Sequence, residues 1–344
     1  MRLPAPLALA GLMALIVPAC RSGHGSYRAA VVPAPTSTAV ADGSVTLPLA
    51  PLTGLPDRTG VTTSRPSLAV KIDNAPDARP QAGLDVADAV FEEVVEGGVT
   101  RFIAVFHSAA PDSVGPIRSV RPMDPNIASA LGGLFAYSGG IPEFKSLLRK
   151  APVQDVNYDV ATSAYHKEPG RPAPHNLFAS PDALWKMASD KYHHPPPALF
   201  EYRVAGEPFG ETEAATLRIP YSQLSSAGYT WDAPSGTWKR TQDGAPHTTV
   251  SGVQIAPENV IVQFVATRRL GYVDVSGAAV SESIVVGEGD AWVLSAGRVT
   301  KGRWSKPDAA TPTRYTDAAG NPVKLTPGRT WVHYVPVGSP VSVG

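Results

Sequence analysis

Apolar positions along this chain fall into short runs separated by turn residues, and their period changes along its length. Leu3 to Val17 is one run without charge. It is shorter than the ~20 residues a membrane-spanning helix needs, and no later run is long enough either. Residues 21–50 are rich in Ser, Thr, Ala, Pro and Gly and contain neither Glu nor Lys. Such a stretch cannot bury enough apolar surface to offset its ordering entropy. Residues 20–50 are therefore expected to form a disordered tether reaching on the order of 30 Å. The string "PLTGLP" (51–56) marks the expected edge of the ordered region.

From Pro66 to about Tyr192 the period alternates between strand and helix. Leu68–Ile72 has a strand's length and composition, and Gly83–Asp88 reads as a helical turn. Ala89–Val95 and Val99–His107 are rich in β-branched and aromatic residues and flank Gly97-Gly98, which predicts a β-hairpin. A helix over 85–96 competes, because Val86, Val90 and Val94 fit an i, i+4 stripe. A helix at Asn126–Leu131, a strand at Leu134–Tyr137, a helix at Pro142–Lys150 and a helix opened by Pro181 and running toward Lys191 follow. Residues 162–176 read as a polar, Pro-rich loop. The string "HHPPP" (193–197) breaks the chain, and the period after it is almost purely β. "YTWDAPSGTWKR" (229–240) predicts a hairpin. Val260–Ala266, Val273–Val275, Ser283–Val286, Ala291–Leu294 and Thr330–Val335 are further expected strands. The expected fold class is α/β or α+β: an N-terminal α/β domain over 51–192, then a β-rich C-terminal domain over 198–338.

Composition narrows the function classes. The chain has 30 basic and 30 acidic residues, so it lacks the basic footprint of a nucleic-acid binder. It has one cysteine, Cys20, so no internal disulfide is available. Cys20 follows Arg2, the apolar run and Val17-Pro18-Ala19, which together describe a secretory signal peptide over 1–19. The residues around the cut resemble the lipobox of bacterial lipoproteins. That resemblance implies acylation of the Cys20 thiol, palmitate included, and attachment to the outer face of the cell membrane. An ordinary secreted protein with a chance free cysteine is the plainer alternative.

The densest polar signal lies in "KIDNAPDARPQAGL" (71–84), "EEVVEGGVTRF" (92–102) and "VGPIRSVRPMD" (114–124). With "PHNLF", "WDAPSGTWKR", "NVIVQF", "GRWSK" and "LTPGRTWVHYV", these strings resemble the YerB-like lipoproteins. This is a bacterial family built from N- and C-terminal domains of unknown function. The resemblance spans about 51–336. It implies an extracytoplasmic lipoprotein linked in general terms to the cell envelope, and it carries over no catalytic residue.

The residues themselves suggest a ligand site at Lys71, Asp73, Asn74, Arg79, Arg101, Arg118 and Arg121. Gly115, Pro116 and Pro122 stiffen the segment that bears Arg118 and Arg121. Rigid guanidinium groups suit phosphate, pyrophosphate or carboxylate. The opposing reading is that Glu92, Glu93, Glu96, Asp73 and Asp124 neutralise the arginines in a buried ion-pair network. Glu92, Glu93 and Glu96 are also candidate acids or bases, with Glu92 paired to Asp73 or Asp124 as in glycan hydrolysis. On a strand, Glu92 and Glu93 must face opposite sides. "AYSGG" (136–140) nearly matches a nucleophile elbow, with His166 or His175 as base, but a turn that needs glycine explains it as well. His193 and His194 lack metal-ligand spacing, and the five tryptophans from Trp231 to Trp331 suit a core or a sugar platform. No metal or cofactor is expected. The leading reading is a non-enzymatic binding or regulatory lipoprotein, partnered by the membrane and by wall-synthesis or hydrolysis proteins or wall polymers. The alternative is an enzyme or binder acting on an anionic or glycan wall substrate through Arg118 and Arg121.

Overall fold

The computed structural model describes residues 47–344 except Glu211, Val275 and Ser276. Cys20, the expected signal peptide and all but the last residues of the expected tether lie outside the described residues. Near the start of the described residues, Leu49 bridges Pro56, and Ala50 is buried.

Eleven strands form one mixed sheet. From one edge the order is Arg314–Asp317, Arg298–Lys306, Gly287–Ser295, Asn259–Val265, Thr330–Pro336, Ala89–Val94, Thr100–Phe106, Leu68–Asp73, Leu134–Ala136 and Gln154–Asp155. Thr212–Glu213 adds to Arg298–Lys306. Thr330–Pro336 is parallel to both Asn259–Val265 and Ala89–Val94. Leu134–Ala136 is parallel to Leu68–Asp73 and to Gln154–Asp155. The glycine-linked hairpin is present, with Ala89–Val94 antiparallel to Thr100–Phe106.

Alternation along these strands builds two cores. One face carries Ala69, Phe91, Ile103, Val332 and Tyr334, covered by Ile127 and by Phe144 and Leu148 of the helix Pro142–Lys150. The other face carries Val70, Val90, Phe102 and Trp331, covered near Leu184 and Trp185 by the short helix Pro181–Trp185. Further along that face, a second sheet packs on Val260, Val262 and Leu294 through Leu217, Ile219, Tyr229 and Trp238. This five-stranded sheet is built on Thr216–Pro220, Ser226–Asp232 and Thr237–Gln242.

The N-terminal half is not an α/β domain, which corrects the expected fold class. Among the described residues there are three α-helices, of 5, 9 and 5 residues, against one large mixed sheet. Helices this short cannot cover both faces of a parallel sheet, as an α/β layer requires. Gly83–Asp88 is a hydrogen-bonded turn without helix, closed by Val86 N–H to Gly83 O at 3.2 Å. The helix opened by Pro181 ends at Trp185. The alternation read from the sequence was local. It could not show that Ala89–Val94 takes its second neighbour from Thr330–Pro336, beyond residues 193–197. Among the described residues, no helix is long and apolar enough to cross a membrane.

The shared sheet predicts joint unfolding of the two halves. Trp331 is buried on the shared strand, with Phe102 edge-on at 5.4 Å. Trp331→Ala should cost about 3–5 kcal/mol in denaturant melts. Fluorescence and circular dichroism should report one coincident transition. Two separated transitions would show that the sheet does not couple the halves.

Candidate arginine site at one end of the sheet

The strand Leu68–Asp73 runs three residues beyond its parallel neighbour Leu134–Ala136 and ends beside the start of Thr100–Phe106. Register sets Asp73 opposite Arg101 and Arg101 opposite Glu93. Alternation puts Lys71, Asp73, Glu93 and Arg101 on the face of Phe91 and Ile103. The segment 115–122 closes over this end. Arg118 N–H donates to Lys71 O at 2.9 Å, and Ile117 N–H donates to Leu177 O at 2.7 Å. The second contact carries His175 to Asp73.

Most charges here are paired. Lys71 Nζ donates to Glu93 Oε1 and, at 2.7 Å, to Asp124 Oδ1, all fully buried. Burial and the neighbouring Asp124 push the Glu93 carboxyl up to about 8. Arg121 Nε donates to Glu96 Oε2 at 2.8 Å. Arg118 Nε lies 2.8 Å from Asp73 Oδ2, without hydrogen-bond alignment, and the same oxygen meets His175 Nδ1 at 2.8 Å. The Arg118 side chain is 24% exposed.

Arg101 differs. It is 6% exposed and forms no ion pair among the described residues. Its Nη1 donates to Ser119 O at 3.1 Å, and its Nε has no hydrogen-bond partner. Arg121 Nη1 donates to the same Ser119 carbonyl at 3.4 Å, so two guanidinium groups converge on one oxygen. Burial first, and then the Arg121 charge, bring the Arg101 pKa down to about 10. Glu93 Oε2 and Glu96 Oε1 also lack hydrogen bonds.

The remaining candidates lie on the opposite face. Glu92 accepts from Arg240 Nη2 at 3.0 Å and from Thr100 Oγ1 at 2.7 Å, and lies 3.1 Å from His333 Nδ1. Asn74 donates to Gln242 Oε1 at 3.0 Å, and Arg79 Nη1 pairs with Asp243 Oδ2 at 2.6 Å. These three residues join the large sheet to the smaller one. Glu92 therefore shares no cleft with Asp73 or Asp124. Ser138 makes no hydrogen bond to His166 or His175: His166 lies 3.3 Å from Ser113 Oγ, and His175 is on Asp73.

Sequence reading missed Arg240, Gln242, His247 and His333. A signal for the first two existed. Trp238, Arg240 and Gln242 alternate along one strand and are all buried, so Arg240 faces the core with Trp238. Ser119, on which the arginines converge, carried no signal, because its carbonyl does the work.

A cleft of about 770 Å³ lies elsewhere, among Arg203, Glu207, Phe209, Lys301, Asp317 and Lys324. In it Lys324 Nζ lies 2.8 Å from Glu207 Oε1, and Arg203 donates to Thr326 Oγ1.

Both halves of the chain match models of one family. Residues 52–194 match the N-terminal domain, and residues 217–332 the C-terminal domain, of "Protein of unknown function (DUF3048)". The chain belongs to the DUF3048 family. The arginine site lies within the N-terminal match, and Arg240 lies within the C-terminal one. The protein "Putative lipoprotein YerB" of Bacillus subtilis (strain 168) is 29% identical over 297 residues, covering 83% of this chain and 86% of that one. The crystal structure of YerB from Bacillus subtilis matches with a TM-score of 0.74 and 27% identity, covering 86% of this chain and 99% of that one. The architecture described here is thus shared with a solved relative.

The two adjacent carboxylates should respond oppositely to pH. Burial opposes ionisation of Glu92, but Arg240 and His333 outweigh it and hold the carboxyl at about 2, against a usual 4.5. The stability it contributes is complete above pH ~4.5 and is lost as pH falls toward 2. Glu93 is raised, so its contribution is complete below pH ~4.5 and is lost as pH rises through 8. Glu93→Gln should therefore flatten the fall in stability between pH 5 and 8.5, a difference on the order of a few kcal/mol in denaturant melts. A variant that keeps the wild-type slope would contradict a protonated Glu93. Glu92→Gln leaves the Arg240 charge buried without its carboxylate, and chemical denaturation at pH 7 should show a loss of about 3–5 kcal/mol.

Proposed function

We propose that this DUF3048 protein is a lipoprotein anchored through Cys20 to the outer face of the cell membrane, where it binds an anionic component of the envelope without catalysis. The observation that carries this reading is Arg101, a buried guanidinium without an ion pair beside Arg118 and Arg121. Burying an uncompensated charge is costly, and an incoming anion removes that cost. The geometry does not favour chemistry on a substrate: Glu92 faces away from the other carboxylates, and Ser138 is not bonded to a histidine base. The anchor is supported by the residues around Cys20 and by the name of the Bacillus subtilis relative.

Acyl chains contribute ~0.8 kcal/mol per buried methylene, so two chains hold a protein stably at a membrane. In fractionated cells, wild type should sediment with membranes, and Cys20→Ser should be released or left unprocessed. Normal cleavage with unchanged membrane association would defeat the anchor. For binding, purified full-length protein should melt at a higher temperature in phosphate, sulfate or citrate than in chloride at equal ionic strength. No response to any of the three would defeat the anion reading.

A further inference from the structure

The arginine end of the sheet holds a lysine that the anion reading does not use. Lys71 comes from the strand Leu68–Asp73, and Asp124 opens the short helix Asp124–Ala128, 53 positions along the chain. Lys71 Nζ donates to Asp124 Oδ1 at 2.7 Å and to Glu93 Oε1, and it makes no other hydrogen bond among the described residues. An ammonium has three N–H groups, so one is unspent. All three side chains are at most 1% exposed. Ile103 stands opposite Lys71 and Tyr334 opposite Glu93, and both belong with Phe91 and Met123 to one apolar core. Two carboxyl groups and one amine are thus held in contact away from water, where charge is costly even when paired.

The two acids are held differently. Asp124 Oδ2 accepts from Arg121 N–H at 2.7 Å, while Oδ1 is on Lys71. The Asp124 Cγ therefore lies one bond from an oxygen that touches the amine and one bond from an oxygen that touches a backbone donor. Glu93 has no such donor: its Oε1 meets Nζ, and its Oε2 has no hydrogen-bond partner. Burial and the neighbouring Asp124 push the Glu93 carboxyl up, which favours the acid form. The triad thus supplies a nucleophile, a carbonyl carbon with a donor on its oxygen, and an acid with a free oxygen.

We propose, independently of the anion reading, that Lys71 Nζ and Asp124 Cγ join in an isopeptide bond, with Glu93 as the proton carrier. The Lys71 ammonium first gives a proton to Asp124 Oδ1, which leaves a neutral amine beside a neutral acid. The Nζ lone pair attacks Cγ, and the charge that builds on Oδ2 falls on Arg121 N–H. Glu93 takes a proton from Nζ and gives its own to the departing Oδ1 hydroxyl, so it ends as it began. One C–N bond forms, one C–O bond breaks and one water leaves. No electron is gained or lost, and no outside reagent enters. The step replaces a buried ion pair by a neutral amide and removes the cost of holding both ions from water. It also ties the segment 115–122, which carries Arg118 and Arg121, to the sheet. With one cysteine the chain has no internal disulfide, and this bond closes a loop in the same way.

The test is peptide mapping by mass spectrometry of full-length protein, denatured and then digested with trypsin. Trypsin cuts neither before proline nor at an acylated lysine, so the bond should join peptide 59–101, uncut at Lys71, to peptide 119–145. The joined species should weigh the sum of the two less one water, and fragmentation should place the link at Lys71 and Asp124. Glu93→Gln keeps both partners and should lower the joined fraction roughly tenfold or more. Lys71→Met should abolish it. Separate peptides, with cleavage after Lys71 in wild type, would overturn the proposal, and that result needs no variant to fold. A link from Lys71 to Glu93 would overturn the assignment of Asp124. A joined fraction unchanged in Glu93→Gln would overturn Glu93 as the proton carrier.

Discussion

The ion pair between Glu92 and Arg240 sits between the two sheets with both side chains at 0% exposure. Arg240 comes from the five-stranded sheet, and Glu92 from the middle of the eleven-stranded one. Around them, Tyr221 and Tyr229 bond the ring nitrogens of His333 at 2.6 and 2.9 Å, and Arg240 Nε donates to His247 Nδ1 at 2.9 Å. Trp331 lies under the guanidinium at 4.8 Å. Such a cluster is not clearly more stable than a greasy replacement, but it punishes every arrangement that leaves one member alone. It therefore selects one packing of the sheets.

It also sets strand register. Glu92 and Glu93 are consecutive and face opposite sides. A slip of one residue would turn Glu92 toward Lys71 and Glu93 toward Arg240, and would exchange the apolar sets of both faces. The environments are not interchangeable. On one side a guanidinium and an imidazole hold the carboxyl below its usual range, while on the other burial and a second carboxylate, Asp124, push it up. Two adjacent acids thus act as a key with two different teeth.

The faces differ in how their charge closes. Between the sheets, each ionised side chain meets an opposite charge or a full set of hydrogen bonds. At the arginine end, Arg101 has only a carbonyl that it shares with Arg121. A protein that needed this end only for stability would gain from an apolar residue there. That unpaired charge is the feature on which the proposed binding reading rests.

Local order was legible in the sequence because its causes are local. The Val- and Phe-rich runs around Gly97-Gly98 form the expected hairpin, and Pro142 starts the expected helix. Strand alternation was enough to place Glu92 and Glu93 on opposite faces. Within the arginine site, Lys71, Asp73, Glu93, Glu96, Arg101, Arg118 and Arg121 could be picked out by their nearness in sequence, but their partners could not. Glu92 is bonded to a residue 148 positions away, and its strand is paired with the last long strand of the chain. Period and composition say that a run is a strand and which residues share its face. They do not say which other strand supplies the hydrogen bonds, since every strand edge offers the same N–H and C=O groups. That choice, and with it the loss of the α/β layer, the burial of Arg240 and the isolation of Arg101, was made by packing between distant segments.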